Sequence, residues 1–255
     1  MSSGELDIRR ILMALDASSR GRLALDLVLE LVKGAQVELQ GLFVEDINLL
    51  RLAALPFARE ISRTSTAARP LEPQRLEQLL RYQAENVEKL LAECAGRAGL
   101  PWSFRVVRGR FPRELEALAG GFDLCIVGCD SSLAMQHLWP RLPAAGRPVV
   151  VSLTDTPAAL RALRVAHRLA RCQSRRLLVL SEPGWSLTPQ AAPLHEALAT
   201  AEQHALPAGD IAAFLRSSSG RRPVALVLAA DHPLLRDGGM EALLRAFDCP
   251  LLLVR

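Results

Sequence analysis

The chain has 255 residues, which is long enough for one large domain or two small ones around a sizeable core. Half of the residues are apolar and 23% are charged, which is globular usage and excludes an intrinsically disordered chain. The formal net charge is only +4, and no basic run is flanked by aromatic residues, so we expect no nucleic-acid partner.

The sequence has no apolar run of the roughly 20 residues that a membrane span needs, and its N-terminus lacks a signal-peptide pattern. We therefore expect no membrane partner and a cytoplasmic location. The five cysteines do not show the spacing of a zinc site, and a disulfide framework does not suit this size and class. We interpret them as buried structural thiols and predict no metal site.

The first half alternates predicted strands and helices. Ile8–Lys33 predicts a buried strand that runs into Asp16, followed by an amphipathic helix. Further strands are predicted at Gln36–Val44, Trp102–Val107, Leu124–Val127 and Pro148–Leu153. The segments between them predict a helix at Ile47–Ile61, a loop at Ser62–Pro73, a long helix at Leu76–Ala98 and a helix beginning near Pro112. Strands that each lead into a crossover indicate a parallel sheet with helices on both faces.

The second half repeats this order in reduced form. Its predicted elements are a helix capped by Asp155-Thr156-Pro157, a strand at Leu177–Leu180, a helical excursion at Thr188–His204, a helix at Gly209–Ser218, and strands at Val224–Leu228 and Pro250–Val254. No counterpart of the Trp102–Val107 strand is recognised. We predict two domains, 1–153 and 154–255, the second of them degenerate. Whether Pro148–Leu153 belongs to the first half, the second or both stays open.

Six segments carry a recognisable order, namely Arg10–Asp16, Gly41–Asp46, Val107–Gly109, Asp123–Gly128, Pro148–Val151 and Cys249–Val254. Together they resemble the universal stress protein family in its tandem form. The resemblance implies an α/β fold of the Rossmann-like type, with an open parallel five-stranded sheet that is repeated in tandem and degenerate in the second half.

In that family, one branch binds ATP through an acidic residue after strand one and through the pattern Gly-x2-Gly-x9-Gly followed by Ser or Thr after strand four. Asp16 matches the acidic position and Gly128 matches the end of strand four, but residues 129–145 contain no glycine. The branch that lacks nucleotide binding is therefore the closer resemblance. It implies a non-enzymatic stress-response protein that acts through protein contacts and needs no cofactor. The alternative is a sensor that binds ATP or AMP through an atypical loop at the Asp16 edge.

A ligand pocket is expected where the strand order reverses, because open α/β sheets bind ligands there. Its candidate residues are Asp16, Ser18, Arg108, Gly109, Arg110, Gly128, Asp130 and Ser131. Asp16 would accept hydrogen bonds from an adenine or a ribose, and the two arginines would hold an anion. Purely structural roles stay open: Ser18 or Ser19 as a helix cap, Asp16 bonded to turn amides, and solvated arginines.

The sequence contains no Gly-x-Ser-x-Gly elbow, P-loop or His-Glu-x-x-His motif, so we predict no enzyme. Asp231-His232 is the one pair that merits testing, and we interpret it as a turn. The apolar strand Pro250–Val254 would form an aggregation-prone edge if it were unpaired. It predicts a homodimer or a pseudo-dimer of the two halves, with an unknown protein partner and with Leu76–Ala98 as a second contact surface.

Overall fold

The computed structural model describes residues 7–16, 19–61, 68–128, 146–185, 194–207, 210–217, 223–236, 238–247 and 249–255. Within these ranges the strands are β1 (Arg10–Leu15), β2 (Glu38–Asp46), β3 (Arg59–Ile61), β4 (Ala68–Pro70), β5 (Trp102–Gly109), β6 (Leu124–Gly128), β7 (Val149–Leu153), β8 (Leu177–Ser181), β9 (Glu202–Ala205), β10 (Ala225–Ala229) and β11 (Leu251–Val254). The helices are α1 (Ser19–Leu31), α2 (Ile47–Ala53), α3 (Pro73–Ala98), α4 (Phe111–Ala119), α5 (Pro157–Cys172), α6 (His195–Ala199), α7 (Ile211–Ser217) and α8 (Gly239–Ala246).

Nine strands form one sheet in the order β5-β2-β1-β6-β11-β10-β7-β8-β9. All of its pairings are parallel except the one between β6 and β11. The order β5-β2-β1-β6 of the first half recurs as β9-β8-β7-β10 in the second half. This architecture confirms the predicted α/β class with a mostly parallel sheet.

The C-terminal strand β11 lies in the middle of the sheet. It pairs in parallel with β10 through Leu226↔Leu251 and antiparallel with β6 through Leu251↔Val127. Both of its edges are therefore hydrogen-bonded within the chain. The partner that this strand was expected to need is β6 of the first half, which agrees with the second of the two predicted alternatives, pairing between the halves.

Strand β7 belongs to the second half of the sheet. It pairs with β8 and β10, and β11 and β10 stand between it and β6. Of the assignments that the sequence left open for Pro148–Leu153, this pairing favours the second half, since the position beside β6 is taken by β11. A run that is apolar apart from Ser152 fits either place, so the sequence could not distinguish them. The domain boundary drawn after residue 153 stays a prediction, although this pairing places Val149–Leu153 with the residues that follow it.

Two excursions contain strands that the sequence did not reveal. The helix expected over Ile47–Ile61 ends at Ala53, and Arg59–Ile61 pairs instead with Ala68–Pro70 in the predicted loop. The helical excursion expected over Thr188–His204 contains α6 and then β9. This strand pairs with β8 and is the counterpart of β5. Both misses involve strands of three or four residues with polar composition, which are too short to show a period of two.

Alternating side chains of the central strands build a core on each face of the sheet. In β1, Ile11, Met13 and Leu15 pack with the helices α1, α3 and α5, whereas Leu12 and Ala14 pack on the face covered by α4, α7 and α8. The period-two alternation is what a strand buried on both faces requires. The two halves share both cores, so the sheet is continuous in packing as well as in hydrogen bonding.

Four cysteines lie in the described ranges, and all four are free thiols. Cys94, Cys125 and Cys249 are buried as expected, whereas Cys172 is exposed at the end of α5. Burial raises the pKa of the Cys125 thiol to about 12, so this side chain stays protonated and unreactive. In the described ranges, no helix is long and apolar enough to cross a membrane.

Candidate functional site

The carboxyl ends of β1 and β6 meet at the predicted edge, but helix α1 closes the space between them. Leu15 is paired with Gly128 at the strand ends. A Cβ atom added to Gly128 would lie 2.5 Å from the Ala24 Cβ and 3.2 Å from the Gly21 Cα. Gly128 is therefore a glycine because α1 crosses directly over it. On this side its backbone faces helix α1.

Asp16 follows β1 and lies against the first turn of α1. A Cβ atom added to Gly21 would lie 3.4 Å from the Asp16 Oδ1, so the carboxylate is next to the start of the helix. A carboxylate at this position interacts favourably with the positive end of the helix dipole. Asp16 is half-buried and interacts within the chain. This placement agrees with the structural role that the sequence left open for it.

The neighbouring Arg20 ties this edge to the second half. Arg20 is 7% exposed, and its guanidinium donates hydrogen bonds to the carbonyl oxygens of Leu244, at 3.4 Å, and Phe247, at 3.0 Å. Those carbonyls belong to the last turn of α8 and to the residue after it, where a cation is stabilised by the helix dipole. The edge beside Gly128 is thus occupied by contacts between the halves.

Arg108 and Gly109 lie two strands away from β1, at the end of β5 on the outer edge of the sheet. The Arg108 Nε donates to the Glu45 Oε2 at 3.0 Å, and a second guanidinium nitrogen donates to Glu77 at 3.4 Å. The bond to Glu45 raises the pKa of the Arg108 guanidinium. A Cβ atom added to Gly109 would lie 2.6 Å from the Glu114 Cδ, so this position faces another carboxylate. Acidic neighbours at both residues make an anion site here unfavourable.

The structure does not gather the predicted site residues around one pocket. Asp16 and Gly128 are adjacent, whereas Arg108, Gly109 and Arg110 stand at the far side of β2. Ser18, Asp130 and Ser131 lie outside the described residues. Both arginines lie at the end of the edge strand β5, two strands away from β1, and Arg108 is bonded to Glu45 and Glu77 rather than directed toward β6.

At the corresponding edge of the second half, two buried polar side chains are in contact, and this contact was not predicted from the sequence. Ser152 near the end of β7 and His232 after β10 are each 1% exposed, and their Oγ and Nε2 atoms are 2.9 Å apart. The Leu234 N–H donates to the His232 Nδ1 at 3.1 Å. A serine inside the apolar run Val149–Leu153 was the available signal, because a polar group buried in a strand must find a partner.

These bonds determine the chemistry of the pair. Because the His232 Nδ1 accepts a hydrogen bond, the ring proton is on Nε2, which donates to the Ser152 hydroxyl oxygen. A serine nucleophile needs the opposite arrangement, in which the imidazole accepts the hydroxyl proton. Burial lowers the pKa of His232 to about 4, so the ring stays neutral at physiological pH. His232 caps the short 3-10 turn Pro233–Leu235, which confirms the turn interpretation of Asp231-His232.

The start of α5 completes this second edge. Thr156 is the N-cap of the helix, and its Oγ1 accepts a hydrogen bond from the Ala159 N–H at 3.3 Å. The same hydroxyl donates to the Asp231 Oδ1 at 3.4 Å. Within the predicted capping segment Asp155-Thr156-Pro157 the cap is therefore Thr156, and Asp155 is exposed. Both residues are good caps in sequence, and only the backbone direction selects between them.

A cavity of about 860 Å³ opens between α4 of the first half and α8 of the second half. Its apolar floor includes Phe122, Cys125 and Leu253, and of the predicted site residues only Arg110 lines it. The charged side chains that line it include both signs, with five arginines and three acidic residues. The lining therefore carries a formal excess of two positive charges. Among the described residues, no cluster of histidine, cysteine, aspartate or glutamate could hold a metal ion.

Comparison with known proteins places the fold. A universal stress protein from Archaeoglobus fulgidus superposes with a TM-score of 0.50 at 13% identity, covering 96% of this chain and 96% of that one. A protein assigned as a universal stress protein from Pseudomonas aeruginosa reaches a TM-score of 0.48 at 13% identity, over 98% of this chain and 94% of that one. A functionally unknown protein from the same species reaches 0.46 at 14% identity, over 98% and 93%.

No protein-family model matches the sequence, and no curated protein matches it. The structural match to the Archaeoglobus protein extends over nearly the whole of both chains, so it includes both halves of the sheet. The chain therefore has the fold of the universal stress proteins, which confirms, at the level of the fold, the resemblance predicted from the sequence.

Proposed function

We propose that the chain is a non-enzymatic stress-response protein of the universal stress type, which acts through protein contacts and does not bind ATP in the family manner. The observation that carries this proposal is the packing of α1 on Gly128, whose backbone contacts Gly21 and Ala24 at the position where the family's phosphate loop begins. The absence of glycine from residues 129–145 supports the same conclusion. The free thiols of the described cysteines support a cytoplasmic location.

The proposal that the chain is not an enzyme is supported by the state of its most suggestive pair. Ser152 and His232 have the separation of a nucleophile and a base, yet the bond from the Leu234 N–H directs the ring proton toward the serine. The hydroxyl is therefore an acceptor in this pair and gains no nucleophilic character. We assign the pair the role of satisfying two buried polar groups at the second edge.

We also propose that the chain forms its pseudo-dimer internally. β11 is paired with its own β10 and with β6 of the first half, and Arg20 joins α1 to the end of α8. These contacts support a complete sheet in a single chain. No second copy is then needed to cover the C-terminal strand.

Isothermal titration with ATP and with AMP tests the first proposal on the full-length chain. We expect no saturable heat of binding at nucleotide concentrations up to about 1 mM. A Kd of about 1 mM corresponds to a binding free energy of only about 4 kcal/mol. Micromolar binding that disappears in Asp16→Ala and persists in the matched variant Asp26→Ala would establish the alternative, a nucleotide sensor at the Asp16 edge. Asp26 is a suitable control because it is exposed on the outer face of α1.

A further inference from the structure

Helix α5 carries a row of four arginines along its outer face. Arg161, Arg164, Arg168 and Arg171 follow the spacing i, i+3, i+7 and i+10, which places them on one side of a helix. Three of them are exposed and Arg168 is half-buried, whereas the opposite side of α5 is buried against the sheet. At a rise of about 1.5 Å per residue the row is about 15 Å long. We call these four residues the arginine stripe.

The charge of the arginine stripe is only partly compensated by its surroundings. α5 contains no acidic residue. The Arg161 Nε donates to the Arg255 backbone oxygen, and within the described part of the chain Arg164, Arg168 and Arg171 make no ion pair. Helix α1 packs against α5, and its exposed charges are one basic and two acidic residues, which sum to −1. The face formed by the two helices therefore keeps a net charge of +3.

We propose that the arginine stripe docks an acidic segment of a partner protein, a helix with carboxylates at the same spacing of three, four and three residues. This inference rests on the proposed function through protein contacts and names the surface and the partner chemistry. Guanidinium groups match carboxylates in bidentate geometry, and a single row of each sign can align along 15 Å of two parallel or antiparallel helices. Charge complementarity is thus the recognition principle.

Two features of the surface favour this partner over a nucleic acid or a membrane. α5 exposes no aromatic side chain on which bases could stack or which could insert into lipid. Asp26 and Glu30 are exposed on α1, the helix that packs against α5. Their negative charges repel a broad polyanion that spreads from α5 onto α1, whereas a single row of carboxylates contacts only the arginines.

Fluorescence anisotropy tests the proposal with a labelled 15-residue helical probe peptide of alanine and glutamine that carries glutamates at positions 2, 5, 9 and 12. The full chain is titrated at 50 mM salt, because surface electrostatics weaken as salt screens them. We expect saturable binding that weakens at least tenfold in the variant Arg164→Gln/Arg168→Gln/Arg171→Gln. The charge-matched control Arg51→Gln/Arg81→Gln/Arg105→Gln removes three other exposed arginines and is expected to change the affinity by less than twofold.

Circular dichroism checks that both triple variants are folded. If the stripe variant does not fold, the single variants Arg164→Gln and Arg171→Gln, both at exposed positions, are measured in its place. Equal losses in the stripe variant and its control would show a net-charge effect and overturn the proposal, as would no saturable binding to the wild type. Stripe-dependent binding of a 20-nucleotide single-stranded RNA or of phosphatidylserine vesicles that is tighter than binding of the peptide would also overturn it. The titration with ATP and AMP tests the Asp16 edge and does not involve the arginine stripe. A negative result with the peptide therefore does not change the conclusion about nucleotide binding.

Discussion

At the scale of single residues, the two glycines of the first edge explain why the strand ends are closed. Gly21 and Gly128 let α1 approach β6 more closely than any side chain would permit. In a nucleotide-binding sheet, glycines at this place allow a phosphate to approach the backbone. The same residue type thus serves helix packing in this chain.

Substitution of Gly128 measures that packing. The added methyl group of Gly128→Ala would lie 2.5 Å from the Ala24 Cβ, so α1 must shift, and we expect a loss of about 1–3 kcal/mol in the free energy of unfolding. Urea denaturation monitored by circular dichroism gives the value. Gly96→Ala is the matched control, because nothing lies within 4 Å of its added Cβ in α3 and helix propensity then favours alanine by up to about 1 kcal/mol. Equal stabilities of Gly128→Ala and the wild type would contradict the close packing.

His232 makes stability depend on pH. Its pKa is lowered by burial to about 4 from an ordinary value of 6.5, while the carboxylate of Asp231 opposes this shift. Below pH 6.5 the His232 ring of the unfolded chain therefore binds a proton, whereas the ring in the folded chain binds one only near pH 4. The contribution of the neutral ring is complete above pH 6.5 and is lost as the pH falls toward 4, by about 3 kcal/mol in all.

Denaturation of the wild type and of His232→Asn at pH 7 and pH 5 isolates this contribution. Asparagine keeps a side-chain acceptor for the Leu234 N–H and does not titrate. Between the two pH values we expect the wild type to lose about 2 kcal/mol more than the variant. Parallel losses in both proteins would show that the ring is accessible to protons in the folded state.

At the scale of elements, short-range chemistry decides where α5 begins. Asp155 and Thr156 are both suitable cap residues, but the extended backbone of Thr156 turns its hydroxyl toward the Ala159 N–H. The hydroxyl also joins α5 to Asp231 at the end of β10. The helix start is thereby tied to the neighbouring strand.

Two alanine substitutions distinguish these residues. Thr156→Ala removes the cap and is expected to lower the free energy of unfolding by about 1 kcal/mol. Asp155→Ala changes an exposed side chain and is expected to have an effect within about 0.5 kcal/mol. Thermal unfolding followed by circular dichroism compares the two. A larger loss of unfolding free energy in Asp155→Ala than in Thr156→Ala would show that Asp155, and not Thr156, is the N-cap.

At the scale of the whole molecule, the strand β11 joins the two halves of the sheet. Without it, β6 and β10 would each have one unpaired edge, and β11 pairs with both, so that they belong to one sheet. The remaining edges are β5 and β9, and β9 is short and carries Glu202 and His204. Charged, short edge strands oppose pairing with other chains.

Light scattering coupled to size exclusion tests the proposal that one chain is complete. We expect a monomer of 27.8 kDa at micromolar concentration, since β11 is paired on both sides. Amide exchange provides the internal check, with slow exchange in β11 and fast exchange in the edge strand β9. A stable dimer in which β11 exchanges as fast as β9 would show that the strand leaves the sheet.

Much of the fold could be predicted because burial leaves local traces in the sequence. Strands buried on both faces must be apolar throughout, as Leu124–Val127 and Val224–Leu228 are, and helices on the sheet must be amphipathic, as Leu76–Ala98 is. The candidate site was less predictable. Asp16 and Gly128 were correctly placed at neighbouring strand ends, whereas the surroundings of Arg108 depended on Glu45 and Glu77, which are 63 and 31 residues away in sequence.

The sequence by itself determined the class of fold, the order of the strands β1, β2, β5 and β6 in the first half, and the lack of glycine in residues 129–145. The tertiary structure decided the partners of β7 and β11, because an apolar strand satisfies its side chains equally well beside several neighbours and only the competition among all strands selects one. It also decided that Ser152 meets His232 and that the arginines of α5 face outward together. Those outcomes depend on contacts between distant segments, which composition and periodicity do not record.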